Sequence, residues 1–357
     1  MKKKKIHFWV PYPLNSAPSQ RFRVEQYLPY LSPDIFSYVI CSFLTIDTWR
    51  IFYEKGHRVK KISGTIMGYI RRIGHLFRSI GADYIFILRE ASPLGPPVFE
   101  WLLAKVFGKK IIYDFDDAIW IPGGEKTTWR KRFFKSTWKV KHIIRWSYKV
   151  SCGNQFLFSY ASKYNQNVVL LPTVYDTERS KYKQKKETDD ERIVVGWTGS
   201  HTTLHNLEEI EQVIRELKKE IDFDFYIISN KPPVWDLDFI FKKWDAATEV
   251  EDLSVMHVGV MPLKQGAWFE GKCGFKLIQY HACGIPAIAS PVGVNKLVTL
   301  HNETGFIAEN NDEWKRYLKK LIADAHLRSR MSVAARSHIE RNYSLNKLLP
   351  AFISLFS

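Results

Sequence analysis

Apolar positions alternate at Ile6, Phe8 and Val10 and then give way to a loop over 11–20, rich in proline and serine, after which residues 22–31 can form a helix. Apolar runs at 36–44, 84–88 and 110–113 have strand length, and helical patterns such as 97–107 separate them. A second series begins near residue 192. It has a strand at 193–197, a loop at 198–203, and then a helix carrying Leu204, Leu207, Ile210, Ile214, Leu217 and Ile221 on one face. Strands are predicted again at 223–229, 257–261 and 285–289, with helices after the last two. Strands alternating with helices predict parallel sheets covered on both faces. The polar, charged stretch 181–192 divides the two series. The expected architecture is therefore α/β, with two Rossmann-like doubly wound domains, 1–175 and 176–344, facing a central cleft beyond the carboxyl ends of the strands. A last helix, within 345–357, is apolar enough to pack back on the first domain.

At 357 residues, with 45% hydrophobic and 25% charged positions, the chain can bury two cores and is neither disordered nor dependent on disulfide staples. The charge balance changes the picture. There are 53 Lys+Arg against 37 Asp+Glu, a net +16, together with 12 Trp, 17 Tyr and 23 Phe, and this points to an anionic partner: nucleic acid, acidic lipid or a phosphorylated substrate. Cys41, Cys152, Cys273 and Cys283 form no C-x-x-C pair and read as reduced thiols. No run of 18 apolar residues could span a bilayer, and the lysine-rich start lacks the pattern of a signal peptide; the expected location is cytoplasmic. Two segments account for much of the charge. Residues 127–150 carry eight basic residues and no acid, interleaved with Trp129, Phe133, Phe134, Trp138 and Trp146. Residues 62–80 place Ile66, Tyr69, Ile70, Ile73, Phe77 and Ile80 on one helical face beside Arg71, Arg72 and Arg78. Each reads either as a core-facing stripe with a solvated basic side or as a helix lying in an anionic membrane interface. Together they favour peripheral membrane binding over nucleic acid, for which no recognition motif is present.

Candidate chemistry concentrates at 269–286. Gly271 and Gly274 open a helix that ends at Gly284, a strand follows, and Ser290 to Gly293 form a turn. A helix N-terminus offers N–H groups and a positive dipole end to a phosphate, glycines let that phosphate approach the backbone, and Lys272 and Lys276 add charge. A glycine before a helix can equally be only a turn.

This stretch resembles the donor-site signature of retaining glycosyltransferases of family 4, which adopt the GT-B fold. Gly196-Trp197-Thr198-Gly199, Val258 to Leu263, Glu303-Thr304-Gly305-Phe306 and Leu171-Pro172-Thr173 extend the resemblance along essentially the whole chain. It implies transfer of a sugar from a nucleotide-sugar substrate to a glycan or lipid-linked glycan, with retention of configuration and no metal or other cofactor, in polysaccharide or glycoconjugate biosynthesis. By the same match the donor would be held by Gly199, Ser200, Lys272, Cys273, Gly274, Phe275, Lys276, Gln279 and Gly293, with Glu270 among the catalytic residues. Two departures stand out: Gln279 takes the place of the family's second glutamate, and Gly271 that of the first, with Glu270 one residue early. The family's Arg and Lys pair for the diphosphate is also missing, its loop holding Thr198, Ser200 and His201.

In the first half, Asp116 and Asp117 follow a strand where the family carries a His-Asp pair facing the transferred sugar. A carboxylate there could accept a proton or stabilise oxocarbenium charge; a metal-binding Asp-x-Asp and a helix cap are the competing readings. Ser16, Arg21 and Arg23 beyond the first strand, and Arg89 beyond the strand at 84–88, are candidates for the acceptor or a phosphate. Outside this family, the alternatives are a basic nucleic-acid-binding protein and a GT-B-fold protein without transferase activity.

Overall fold

In the computed structural model, which describes residues 2–121, 137–178 and 192–357, the predicted strands form and pair in parallel throughout. The chain divides into two units, Met1–Thr173 with Leu348–Ser357, and Val174–Lys347.

The first unit contains β1 (Lys4–Val10), α1 (Pro18–Arg23), β2 (Phe36–Ser42), α2 (Ile46–Phe52), α3 (Arg58–Arg78), β3 (Tyr84–Leu88), α4 (Val98–Trp101), β4 (Lys110–Phe115), α5 (Lys139–Trp146), β5 (Lys149–Cys152), α6 (Gln155–Ala161) and β6 (Val168–Leu170). Its sheet runs β2-β1-β3-β4-β5-β6. Because β1, β3 and β4 are neighbours, the loops after Val10, Leu88 and Phe115 share one edge. The helix expected over 22–31 is divided. α1 stops at Arg23 and a 3₁₀ turn, Glu25–Tyr30, takes over with Pro29 inside it, since proline has no N–H to continue an α-helix.

The second unit contains β7 (Val194–Thr198), α7 (Glu211–Glu220), β8 (Asp224–Ser229), β9 (Ile240–Lys243), α8 (Glu249–Ser254), β10 (Val258–Met261), α9 (Ala267–Glu270), α10 (Phe275–Ala282), β11 (Ala287–Ala289), α11 (Asn295–Val298), β12 (Gly305–Ile307), α12 (Asn311–Ala323) and α13 (Ala325–Asn342). The sheet order is β12-β11-β10-β7-β8-β9. Val195, Trp197, Ile214, Phe225, Val258, Ile288 and Leu318 belong to its core. The single helix expected after 203 is instead a 3₁₀ segment, His201–Glu209, followed by α7, with Ile210 between them. The last helix, α14 (Leu345–Ser354), brings its end back to the first unit, where Phe352 stacks on Tyr27 with ring centroids 4.0 Å apart and Phe356 meets Phe8 edge-on.

Two buried arginines organise the first unit. The Arg23 guanidinium donates from Nε to Asp114 Oδ2 at 3.0 Å, from Nη2 to Asp114 Oδ1 and Ser151 Oγ, and from Nη1 to the Leu171 carbonyl. Arg23 was expected to reach a phosphate. It is instead buried and taken up inside the unit, joining α1 to β4 and β5. Arg72, equally buried, donates to the carbonyls of Val10, Cys41 and Ala91 and lies 4.8 Å over the Trp9 ring.

Arg72 sets the rotation of α3. Gly64, Gly68, Arg72 and Leu76 face the unit, and at Gly68 a Cβ would come within 2.7 Å of the Phe43 ring, so only glycine allows the approach. The apolar stripe therefore points outward. α5 behaves in the opposite way. Val140, Ile143 and Ile144 are buried, and the buried Lys139 donates to the Ser92 carbonyl and pairs with Glu90 at 2.8 Å. The described part of the basic segment 127–150 thus turns Val140, Ile143 and Ile144 to the core while Trp138 stays exposed; residues 127–136 lie outside the described residues.

Two stability predictions follow from burial. Asp114→Ala strands the Arg23 charge and is expected to cost about 3–5 kcal/mol in a urea melt, with the double replacement Arg23→Met, Asp114→Leu recovering much of the loss. His281 is buried with both ring nitrogens engaged, one at Ile285 O and one at Thr299 Oγ1. Burial, only partly offset by the Ile285 carbonyl, pushes its pKa down to about 4. The unfolded chain binds this proton at higher pH than the folded one, so stability is expected to fall as pH drops from about 6.5 towards 4, by on the order of 3 kcal/mol at the lower end. His281→Asn is expected to flatten that part of the melting-temperature profile.

Candidate functional site

In the second unit, the loop after β7 and the N-terminus of α10 are locked together. The Thr198 N–H donates to Tyr280 Oη at 2.9 Å, and the Gly199 N–H to the Ile228 carbonyl at 3.0 Å. A Cβ at Gly199 would lie 2.5 Å from the Trp197 ring and 2.8 Å from Lys276 Cε, so the missing side chain is what lets Lys276 pass across the loop. Lys276 Nζ then sits 5.1 Å above the Trp197 ring, a placement that favours a cation and holds the ammonium beside residues 197–199. Ser200 shares a 2.7 Å hydrogen bond with Thr202, and the His201 N–H donates to Asn230 at 2.7 Å.

α10 begins at Gly274, whose φ of +64° is left-handed and strained for any residue with a Cβ. Gly274 makes no side-chain cap hydrogen bond, and the positive end of the helix dipole lies at this turn. The preceding turn is tied to its neighbour: Gly293 N–H donates to Glu270 Oε2 at 3.1 Å. Lys272 Nζ lies 4.9 Å from the Trp268 ring, the Cys273 thiol is 3.9 Å from the Gly271 carbonyl, and the Phe275 and Tyr175 rings are 6.5 Å apart. Gln279 is on the same side of α10 as Phe275 and Lys276, at the i+4 and i+3 positions. It is only 3% exposed, and its Nε2 has no hydrogen-bond partner. An amide so placed costs about 1–3 kcal/mol of lost hydration unless something accepts from it. Asn295, at the start of α11, shows the same condition. Its Nδ2 donates to the Ser290 carbonyl at 3.0 Å while the buried Oδ1 has no partner, and that oxygen lies 3.8 Å from where a Gly274 Cβ would be. Sequence reading missed Asn295, although its place two residues after Gly293 was a usable signal.

In the first unit, three candidates converge at the edge shared by β3 and β4. Arg89 Nη2 lies 2.7 Å from Asp116 Oδ1 and 2.8 Å from Asp117 Oδ2, and Nε donates to Asp116 Oδ1 at 2.9 Å. The Arg89 backbone is left-handed, φ +61°, held by its N–H to Asp114 O at 2.7 Å and by Tyr113 Oη donating to its carbonyl at 2.6 Å. Strain of this kind persists where the surroundings over-determine it. Arg89 therefore grips the two carboxylates. Burial alone would raise the Asp116 carboxyl, but Arg89, Ser19 and Arg23 together outweigh it and hold the group below the usual carboxylate range. Asp116 is thus ionised at neutral pH and suited to accept a proton or face positive charge, not to donate.

The loop after β1 is ordered by residues that sequence reading did not single out. Gln20 Oε1 accepts from the Tyr12 N–H at 3.0 Å, and Glu25 Oε2 accepts from the Asn15 N–H at 2.8 Å. Ser16 Oγ donates to the Leu14 carbonyl, and the Arg21 guanidinium lies 4.9 Å over the Phe22 ring. These two remain at the loop, half-buried, while Arg23 has turned inward.

Residues 253–338, which contain α9, the α10 N-terminus, Gln279 and Asn295, match the family model for glycosyl transferases group 1. Comparison with curated proteins by sequence gives no match. Among solved structures, sucrose-phosphate synthase from Thermosynechococcus elongatus superposes with a TM-score of 0.72, covering 99% of this chain and 98% of its own at 13% identity. A glycosyltransferase from Rickettsia africae gives 0.68 over 100% and 98% at 14% identity, and HepE from Anabaena, in complex with UDP-glucose, 0.68 over 98% and 99% at 12% identity. Such identities establish likeness of fold. The chain has the GT-B fold, and its residues 253–338 match the family model for glycosyl transferases group 1.

Proposed function

We propose that the protein is a glycosyltransferase that moves a sugar from a nucleotide sugar to a glycan or lipid-linked glycan acceptor, with retention of configuration and without a metal, at the inner face of a membrane. The observation that carries this reading is the buried, unpartnered Gln279 amide beside the start of α10, inside the segment that matches the family. A nucleoside diphosphate suits that arrangement. Its phosphates would lie against the helix N-terminus and Lys276, with a ribose hydroxyl accepting from Gln279 Nε2. As the sugar departs, charge grows on the diphosphate, where fixed N–H groups and lysines stabilise it most. Glu270, through its bond to Gly293, would hold the adjoining turn in place. Asp116, held below the usual carboxylate range with the help of Arg89, and Asp117 beside it are suited to oppose oxocarbenium charge or to take the acceptor proton.

UDP-glucose is the first donor to test, since HepE was solved with it. UDP release that depends on an added glycan acceptor and resists EDTA is expected; a steep salt-dependent affinity for oligonucleotides with no response to any nucleotide sugar would instead favour the nucleic-acid reading. Lys276→Ala is expected to weaken nucleotide binding about 10- to 150-fold in calorimetric titration, as for a charged hydrogen bond, and Gln279→Met about 2- to 12-fold, as for a neutral one. Arg89→Met removes the largest charge opposing the burial of Asp116, leaving Ser19 and Arg23 against it, so the acid limb of the pH profile of kcat/KM is expected to move upward.

A further inference from the structure

α3 is inside out. Its stripe of Val59, Ile62, Ile66, Ile70, Ile73 and Phe77 follows the i, i+3, i+4 spacing of a face made to be buried, yet each of these side chains is at least half exposed, with Ile62 at 61% and Phe77 at 62%. The inward side carries Gly64 and the buried Gly68, Arg72 and Leu76, fixed by the Arg72 guanidinium on three carbonyls. No acidic residue lies within Arg58–Arg78. By helical spacing, Lys60, Arg71 and Arg78 fall along one border of the stripe and Arg58 along the other.

Beside this border is a cavity of about 500 Å³ between α2 and α3. Arg50, Lys60 and Arg71 line it, with the hydroxyls of Thr48 and Ser63 and one carboxylate, Asp47. Among the described residues, neither Arg50 nor Lys60 has a carboxylate within ion-pair distance, and Arg71 Nε is buried without a partner although its Nη2 donates to the Phe43 carbonyl. Met67, exposed on the helix, joins the cavity to the apolar stripe. Three cations facing one carboxylate, next to an uncovered apolar face, are the two halves of what a phospholipid presents: a phosphate above hydrocarbon.

We propose that α3 and the cavity beside it form a docking site for an anionic phospholipid surface, the stripe entering the apolar boundary of the leaflet while Arg50, Lys60 and Arg71 hold a lipid phosphate. This deepens the membrane location proposed above and rests on it, but not on the transferase chemistry. The charge is complementary to an acidic leaflet and not to a second copy of this basic chain.

The test is co-sedimentation of the full chain with phosphatidylcholine vesicles with and without phosphatidylglycerol, with UDP binding measured in parallel. Binding to the acidic vesicles only is expected. Arg50→Gln with Lys60→Gln is expected to lower the partition coefficient about 30-fold, from two basic residues near the surface. Ile66→Ser with Phe77→Ser, both exposed and so tolerable to the fold, is expected to abolish binding while leaving UDP affinity unchanged. If the cavity variant binds as well as the natural chain while the stripe variant fails, the phosphate site is overturned and the membrane location stands. Three results overturn the docking site altogether: no binding to either vesicle; inorganic phosphate binding at the cavity without vesicle binding; or a concentration-dependent dimer, lost in the stripe variant, without vesicle binding. Loss of UDP binding with vesicle binding intact would count against the transferase reading alone.

Discussion

Parallel strand pairing is the constraint on which the rest of this molecule depends. Every strand of both six-stranded sheets runs with its neighbours, so strand ends of one kind gather at one edge of each sheet. Several special backbone positions lie in the loops there. Arg89 adopts its left-handed φ directly after β3, Gly199 admits Lys276 directly after β7, and Gly293 meets Glu270 a few residues after β11. A ligand site in an open parallel sheet lies at this edge for the same reason.

Electrostatics separate the units. The first is organised by arginines: Arg23 inside on Asp114, Arg72 inside on carbonyls, and Arg89 at the edge on two aspartates. Only the last is partly open to solvent, and with Ser19 and Arg23 it holds the Asp116 carboxyl below its usual range against the effect of burial. In the second unit the contrast is between satisfied and unsatisfied groups. His281 and Tyr280 have their partners, while Gln279 and Asn295, equally buried, each keep one polar atom without any. Two such atoms close to one helix start are what a polar ligand would complete.

The alternation of strands and helices, and hence the fold, was legible because apolar runs in buried parallel strands are long and bounded by turns. β5, β6, β9 and β12, each three or four residues long, went unseen. The turn around Gly271 and Gly274 was legible through its glycines, whereas the meaning of Arg23, Arg72 and Arg89 was not: an arginine reads alike whether it faces solvent, a carboxylate or a ring of carbonyls. The rotation of α3 was hidden for a related reason. Periodicity finds the apolar face, but only the close approach at Gly64 and Gly68 decides which face turns inward.

The central claim is that the Gln279 amide awaits a nucleotide. A proton–nitrogen correlation spectrum of the glutamine-labelled chain, with the Gln279 side-chain signals assigned through Gln279→Met, tests it directly. On saturation with UDP the two Gln279 amide protons are predicted to shift strongly as they gain an acceptor. If UDP binds and those signals stay where they were, the nucleotide lies elsewhere and the account of the site is wrong.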